Sequence, residues 1–296
     1  MKILLFGKGG QVGWELQRSL ATLGDIVALD HDSTDYCGNF GSPKALIATV
    51  RDVKPDIIVN AAAHTAVDKA ESEPDLVRTL NATAPGLLAN EAQRLGAWFV
   101  HYSTDYVFDG SGTRAWTESD TPAPLSVYGQ TKFEGEQLIQ AACRQHLIFR
   151  TSWVYAARGG NFARTMLRMA QERDRLTVID DQIGAPTGAE LLADVTAHAL
   201  RQVLRRPADA GLYHLAASGE TSWWGYAKHV LEQAKRLQPD LQLKATEVLA
   251  VPSSAFLTAA QRPHNSRLDT CKLQTTFDLH LPSWQVGVDR MLAETL

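Results

Sequence analysis

The chain of 296 residues has little cysteine: Cys37, Cys143 and Cys271, far apart and odd in number. Such a set offers neither a disulfide framework nor a zinc site, and it fits a reducing compartment. No apolar run approaches the length of about 20 residues that crosses a bilayer. The opening "MKILLFG" is too short for a signal peptide and reads as a buried strand, so the expected location is the cytoplasm. Runs of like charge and low-complexity tracts are missing, which leaves no candidate for a disordered tail. There is no basic surplus either, the formal net charge being −4. Nucleic acid and anionic membranes both call for a positive surface, so neither is expected as a partner. The G-x-S-x-G nucleophile motif is absent, which argues against an α/β-hydrolase. Nine histidines are scattered singly. His64 and His101, beside strand ends, read as groove-lining or satisfied structural groups rather than catalysts.

What is present is an alternation. "KILLF" (2–6), "DIVALD" (25–30), "DIIVNA" (56–61), "WFVHYS" (98–103) and "HLIFRT" (146–151) are short, continuously apolar runs, as strands covered on both faces require. Amphipathic stretches at 11–23, 43–53, 75–95 and 127–144 lie between them. Strand and helix alternating in this way predict an α/β fold, a doubly wound parallel sheet of Rossmann type. After about residue 151 the rhythm loosens, with helical segments at 188–205 and 222–237 among longer loops. The expected organisation is a dinucleotide-binding domain over 1–151 and a mostly substrate-binding domain over 152–296, with elements of 175–215 returning to the first. No linker separates them, so a shared cleft is expected.

"LLFGKGGQVGWEL" joins the first strand to the first helix, with glycines at Gly7, Gly10 and Gly13. Glycine lets backbone turn tightly and approach a pyrophosphate, whose charge meets the N–H groups at a helix N-terminus. A tight structural turn without a ligand is the alternative. Asp30, at the end of the second strand, stands where an acid holds the adenosine ribose. Asp32 and Asp35 follow, with no Lys or Arg before Lys44. That neighbourhood is poor company for a 2′-phosphate, so NADH is expected to serve as well as NADPH or better.

"SVYGQTKFEGEQL" places Tyr128 and Lys132 four residues apart, on one helix face. By itself Y-x-x-x-K is a frequent accident, and an exposed helix pair is the alternative. Ser126 suits an N-cap, which puts Tyr128 in the first turn, where the helix dipole favours an anion. Lowering a phenol from about 10 to about 7 needs roughly 4 kcal/mol. One ammonium about 4 Å away supplies on the order of 4 kcal/mol at an effective dielectric of about 20. Lys132 is therefore expected to acidify Tyr128. "HYSTDYVFDG" brings Ser103, Thr104 and Asp105 to the carboxyl end of the fourth strand, where open α/β folds bind ligands. Thr104 can hydrogen-bond a substrate carbonyl while Tyr128 gives the proton; a helix cap or turn is the alternative.

The glycine turn, "NAAAHTAVDKAE", Asn81 in "LNATAP", "STDYVFDG" and "YGQTK" together resemble the extended short-chain dehydrogenase/reductase family. Within it, "HTAVDKAESEP", "FRTSWVY", "DDQIGAPTGAELLAD" and "RPHNSRL" are similar to reductases of nucleotide-linked keto-sugars, over nearly the whole chain. The resemblance implies NAD(P)H-dependent reduction of the 4-keto group of dTDP-4-dehydro-L-rhamnose to dTDP-L-rhamnose, a sugar donor for cell-surface polysaccharide such as O-antigen. It gives Tyr128 the role of proton donor, Lys132 that of ribose contact, and Thr104 that of their partner. It matches Gly10, Gln11 and Val12 to the phosphate turn and Asp30, Asn39 and Phe40 to the adenosine side. It places Ala63, His64, Thr65 and Tyr102 along the cofactor groove, and Asp105 and Trp153 against the sugar nucleotide. It further implies a homodimer with Mg2+ at a dimer contact, Glu15, Glu190 and Glu294 matching the ligand positions. All three glutamates fall on helical stretches, where the plain reading is a solvated face.

Two rivals stay open: a sugar-nucleotide 4-epimerase, and a non-catalytic dinucleotide-binding regulatory subunit. A dehydratase is disfavoured because Tyr106 follows Asp105 where that reaction needs a glutamate base. Trp153 could equally be core.

Overall fold

The computed structural model describes residues 1–296. The five apolar runs form β1 (Lys2–Phe6), β2 (Asp25–Leu29), β3 (Ile57–Asn60), β4 (Trp98–Thr104) and β5 (His146–Thr151). Between them come α1 (Gln11–Leu20), α2 (Pro43–Val53), the short α3 (Val67–Ala70) and α4 (Pro74–Arg78), then α5 (Ala84–Leu95) and α6 (Val127–Ala142). The later chain supplies β6 (Val154–Tyr155), α7 (Phe162–Glu172), β7 (Arg175–Ile179), β8 (Ile183–Gly184), β9 (Thr187–Gly188), α8 (Ala189–Val203) and β10 (Gly211–His214). It ends with β11 (Thr221–Ser222), α9 (Trp223–Leu237), β12 (Glu247–Val251), α10 (Cys271–Phe277) and α11 (Trp284–Thr295).

The main sheet runs β10-β5-β4-β3-β1-β2, parallel at every pairing. Side chains alternate across it, as the pleat demands. Leu5, Val100 and Phe149 join Leu16, Leu192 and Leu200 on the face covered by α1 and α8. Leu4, Phe6 and Phe99 join Leu46, Leu88 and Ile139 on the face covered by α2, α5 and α6. Both faces are thus dry, which is why the strands read as unbroken apolar runs. The strand order reverses between β1 and β3, and beside that point such sheets leave a crevice at the carboxyl ends of their strands. A separate core, with Leu167, Leu176, Val230, Trp284 and Val288, unites α7, α9, α11, β7 and the strand beside it, β12.

The stretch 75–95 is not one helix. Residues Thr79–Thr83 widen into a π turn between α4 and α5. Pro85 has no N–H to give back to the Asn81 carbonyl, which disrupts the regular ladder. That carbonyl lies against α6, where a Cβ on Gly135 would be 2.2 Å from it.

Candidate active site

The glycine turn is built by close approach. Gly7 adopts a φ of +86°, and a Cβ there would lie 2.7 Å from the Ala62 nitrogen. A Cβ on Gly13 would stand 1.9 Å from the Gly7 carbonyl oxygen, so only glycine lets α1 begin this near the turn. Gly10 is the N-cap and no side chain caps the helix, which leaves its first N–H groups to an anion. Gln11 and Val12 form the opening of that helix. The cradle fits a dinucleotide diphosphate. The Asp30 carboxylate accepts from the Gly9 N–H at 2.9 Å, which ties the end of the second strand to the turn.

Along the groove, Ala63 and Thr65 are exposed and His64 is half-buried. Asn81 clamps the backbone here, accepting from the His64 N–H at 2.8 Å and donating to its carbonyl at 3.1 Å. The π turn positions that amide. Asn39 accepts from the Gly41 N–H at 2.8 Å and shapes the loop beyond β2. Two residues that the resemblance puts on the cofactor point elsewhere. The Phe40 ring is buried edge-on against Phe6, 5.4 Å between centroids. The Tyr102 hydroxyl meets Thr196 of α8 at 2.6 Å, deep in the core, and only its carbonyl looks toward the groove side. Strand alternation sends that ring away from the site.

Ser126 caps α6, accepting from the Gly129 N–H at 3.2 Å, and so sets Tyr128 in the first turn. The Thr104 hydroxyl donates to Asp105 Oδ1 at 3.1 Å, accepts from the Tyr106 N–H at 3.2 Å, and stands near enough to the Tyr128 phenol to favour its ionised form. The Tyr106 ring stands edge-on to Tyr128 at 5.7 Å. Tyr128, Thr104 and Asp105 therefore meet at the carboxyl end of β4. Burial pushes the Tyr128 phenol up to about 12, with the Thr104 hydrogen bond opposing and Asp105 adding to the rise. Acidification by Lys132 is thus not found in the free protein. The Lys132 ammonium or amine is engaged behind the phenol, with the Tyr102 carbonyl at 2.5 Å and His101 Nε2 at 3.1 Å. Burial lowers Lys132 to about 8, with Glu136 pulling upward. Asp105 is 2% exposed, its Oδ2 has no partner, and burial raises it to about 7 against hydrogen bonds from Ser266 and Thr104.

Tyr106, next in sequence to Asp105, also lines a cavity of about 900 Å3 whose wall includes Phe162, Met166, Trp223, Arg262 and His264 from the later chain. Trp153 holds a left-handed φ of +48° and stacks on Trp223 with ring centroids 3.7 Å apart. Arg262 bridges the lobes by pairing with Asp68 of α3 at 2.6 Å. Sequence reasoning did not single out Tyr106 or Arg262 as site groups; their signals were the strings "STDYVFDG" and "RPHNSRL". Trp223, at the start of a helix, gave none.

Within the single chain the glutamates expected at a Mg2+ dimer contact form no ligand set. No group of three or more His, Cys, Asp or Glu in the chain is arranged to hold a metal ion. Glu15 and Glu294 are near enough to Glu190 to help raise its pKa, an effect led by burial. Arginines answer them instead: Arg18 lies 3.5 Å from Glu15, and Arg290 lies 3.5 Å from Glu190 and 3.1 Å from Glu294.

A glycine turn under a free helix N-terminus, facing a helix that carries Tyr128 and Lys132, defines an oxidoreductase of the short-chain dehydrogenase/reductase type. Residues 1–296 match the family described as RmlD substrate binding domain, and the chain belongs to that family. It is 60% identical over 294 residues to the dTDP-4-dehydrorhamnose reductase of Escherichia coli strain K12, with 99% of this chain and 98% of that protein covered. A dTDP-4-dehydrorhamnose reductase structure from Clostridium acetobutylicum has a TM-score of 0.88 at 34% identity, covering 99% of this chain and 98% of that one. One from Bacillus anthracis, in complex with NADP, also has a TM-score of 0.88 at 34% identity, covering 99% of both chains. No helix is long and apolar enough to cross a membrane.

Proposed function

We propose that this chain reduces the 4-keto group of dTDP-4-dehydro-L-rhamnose to give dTDP-L-rhamnose, with NADH or NADPH as reductant. The observation that carries the reading is Tyr128, set in the first turn of its helix by the Ser126 cap, standing with Thr104 and Asp105 at the carboxyl end of β4. The bound nicotinamide supplies the hydride that reaches the sugar C4. Tyr128 gives its proton to the O4 alkoxide as it forms, and Thr104 holds that oxygen. A phenol raised by burial keeps its proton until the alkoxide, a far stronger base, claims it. Gly7, Gly10, Gln11, Val12 and Gly13 seat the diphosphate, and Lys132 holds the ribose. Asp105 and Trp153 meet the sugar nucleotide across the cavity. The second lobe excludes water, which strengthens each of these contacts.

The test follows the absorbance of reduced nicotinamide with dTDP-4-dehydrorhamnose against a panel of other keto-sugar nucleotides. Tyr128→Phe is expected to lower kcat by at least about 100-fold, the scale of a lost general acid, with little change in nucleotide-sugar affinity. Retention of most activity would sink the assignment. The acidic loop after Asp30 supports NADH as at least an equal reductant. A kcat/KM ratio favouring NADPH by more than about tenfold would remove that part of the reading.

A homodimer belongs to the same reading, supported by exposed Trp14 on α1 and Val286 on α11. Light scattering should then give twice 32.5 kDa.

A further inference from the structure

Behind the groove three buried side chains form a row that the mechanism above leaves unused beyond Lys132. Asn60 ends β3, His101 lies in β4 and Lys132 in α6; they are 1%, 1% and 2% exposed. Asn60 Nδ2 is 3.0 Å from His101 Nδ1, and His101 Nε2 is 3.1 Å from Lys132 Nζ.

The protons of this row can be counted. The Ala62 N–H can only donate, and it sits 3.0 Å from Asn60 Oδ1. The amide is therefore fixed with its NH2 toward His101. Nδ1 of His101 must accept, so a neutral imidazole carries its hydrogen on Nε2. That hydrogen points at Lys132 Nζ. An ammonium has three donors and no lone pair, whereas an amine receives the hydrogen and still donates to the Tyr102 carbonyl at 2.5 Å. A doubly protonated His101 would oppose a donor at Nδ1, and burial together with Lys132 holds its pKa well down.

We propose that Asn60 and His101 are positioning residues that favour the neutral amine of Lys132 over its ammonium in the free protein. The role assigned to Lys132 rests on the reductase reading. On that reading, the charge opposite a Tyr128 phenolate is one that mildly alkaline solution removes. It is acquired when a proton enters the site and the Asn60 amide turns, giving up Ala62 so that Nδ1–H can donate and Nε2 can accept. The other groups facing Lys132 are Tyr128 and Glu136 on its own helix. Glu136 favours the ammonium, but it is shared with Arg150 of β5, which binds it at 2.6 Å. Burial pulls toward the amine, with Lys132 lowered to about 8.

The experiment is a pH titration of the whole protein carrying 13Cε-labelled lysine, with Lys132→Met used to assign the resonance. Lys132 is expected to titrate at least one pH unit below the ordinary lysine value of about 10.4. In Asn60→Asp the carboxylate accepts Nδ1–H and leaves Nε2 to accept from an ammonium. The midpoint should rise by one pH unit or more, and the alkaline fall of kcat/KM should move with it. His101→Gln, which can turn its oxygen to Nζ, should raise the midpoint likewise and introduces no buried charge. An ordinary midpoint in the unsubstituted protein, or one that neither variant moves, would overturn the proposal. The spectrum reads Lys132 without turnover, so a missing reductase activity at neutral pH would count against the reductase reading alone.

Discussion

Asp105 shows what burial does to a single carboxyl. It is raised to about 7 in the folded chain against about 3.9 when unfolded. The folded state therefore binds its proton more tightly, and that contribution to stability is full below about pH 4 and lost as the pH rises through 7. Asp105→Asn should be more stable than the unsubstituted protein at pH 8 by up to a few kcal/mol, since a tenfold change in proton affinity corresponds to about 1.4 kcal/mol. At pH 4 the two should unfold together in urea; an equal gap at both pH values would contradict the burial account. At Gly13 the same scale of reasoning is steric. Gly13→Ala would drive a methyl group into the Gly7 carbonyl, so calorimetry should find NADPH affinity lowered by about 10- to 100-fold. The glycines, Thr104 and Tyr128 could be read because their chemistry is local: a strand end, a turn, a helical step. The partners of Lys132 could not, because His101 and Asn60 come from two separate strands. Phe40 and Tyr102 show that a place beside the groove in sequence does not say which way a side chain faces.

Among the elements, α6 carries most of the site and depends on one buried ion pair. Arg150 and Glu136 bond through two contacts, 2.9 and 2.6 Å, with both side chains almost fully buried. Removing one partner leaves an uncompensated charge, which costs about 3–5 kcal/mol. Glu136→Ala should lower the urea midpoint accordingly, and adding Arg150→Met should recover part of the loss. A single variant within about 0.5 kcal/mol of the parent would show the pair to be solvated after all. All five predicted strands appear in place, because unbroken apolar runs of that length have few other uses in an α/β chain. The π turn over Thr79–Thr83 was not legible. Pro85 signals an interruption, but whether the chain stops, kinks or widens is decided by Gly135 on a distant helix.

The whole molecule is held as two lobes around a cleft, and Arg262 closes one side of it. Its guanidinium grips Asp68, and Asp68 also accepts from the Ala260 N–H at 3.1 Å. Half-exposed on the Asp68 side, the pair contributes about 1 kcal/mol, so Arg262→Ala should lower the melting temperature by only a few degrees. It should instead raise the KM for the nucleotide-sugar by about tenfold while kcat moves less, because the clasp borders the cavity and not the reacting atoms. Equal losses in both constants would place Arg262 in the chemistry. The sheet itself carries a further consequence. Its edge strand β10 ends at His214, and α8 covers the face shared with α1. A nascent chain released only as far as Thr151 has therefore left a ribosome with one side of its sheet covered by α1 alone. At about 5–20 residues per second, some seconds pass before the cover arrives. That interval is when chaperones that bind bare apolar surface would find this chain, and a fragment cut at residue 151 should precipitate where the full chain does not.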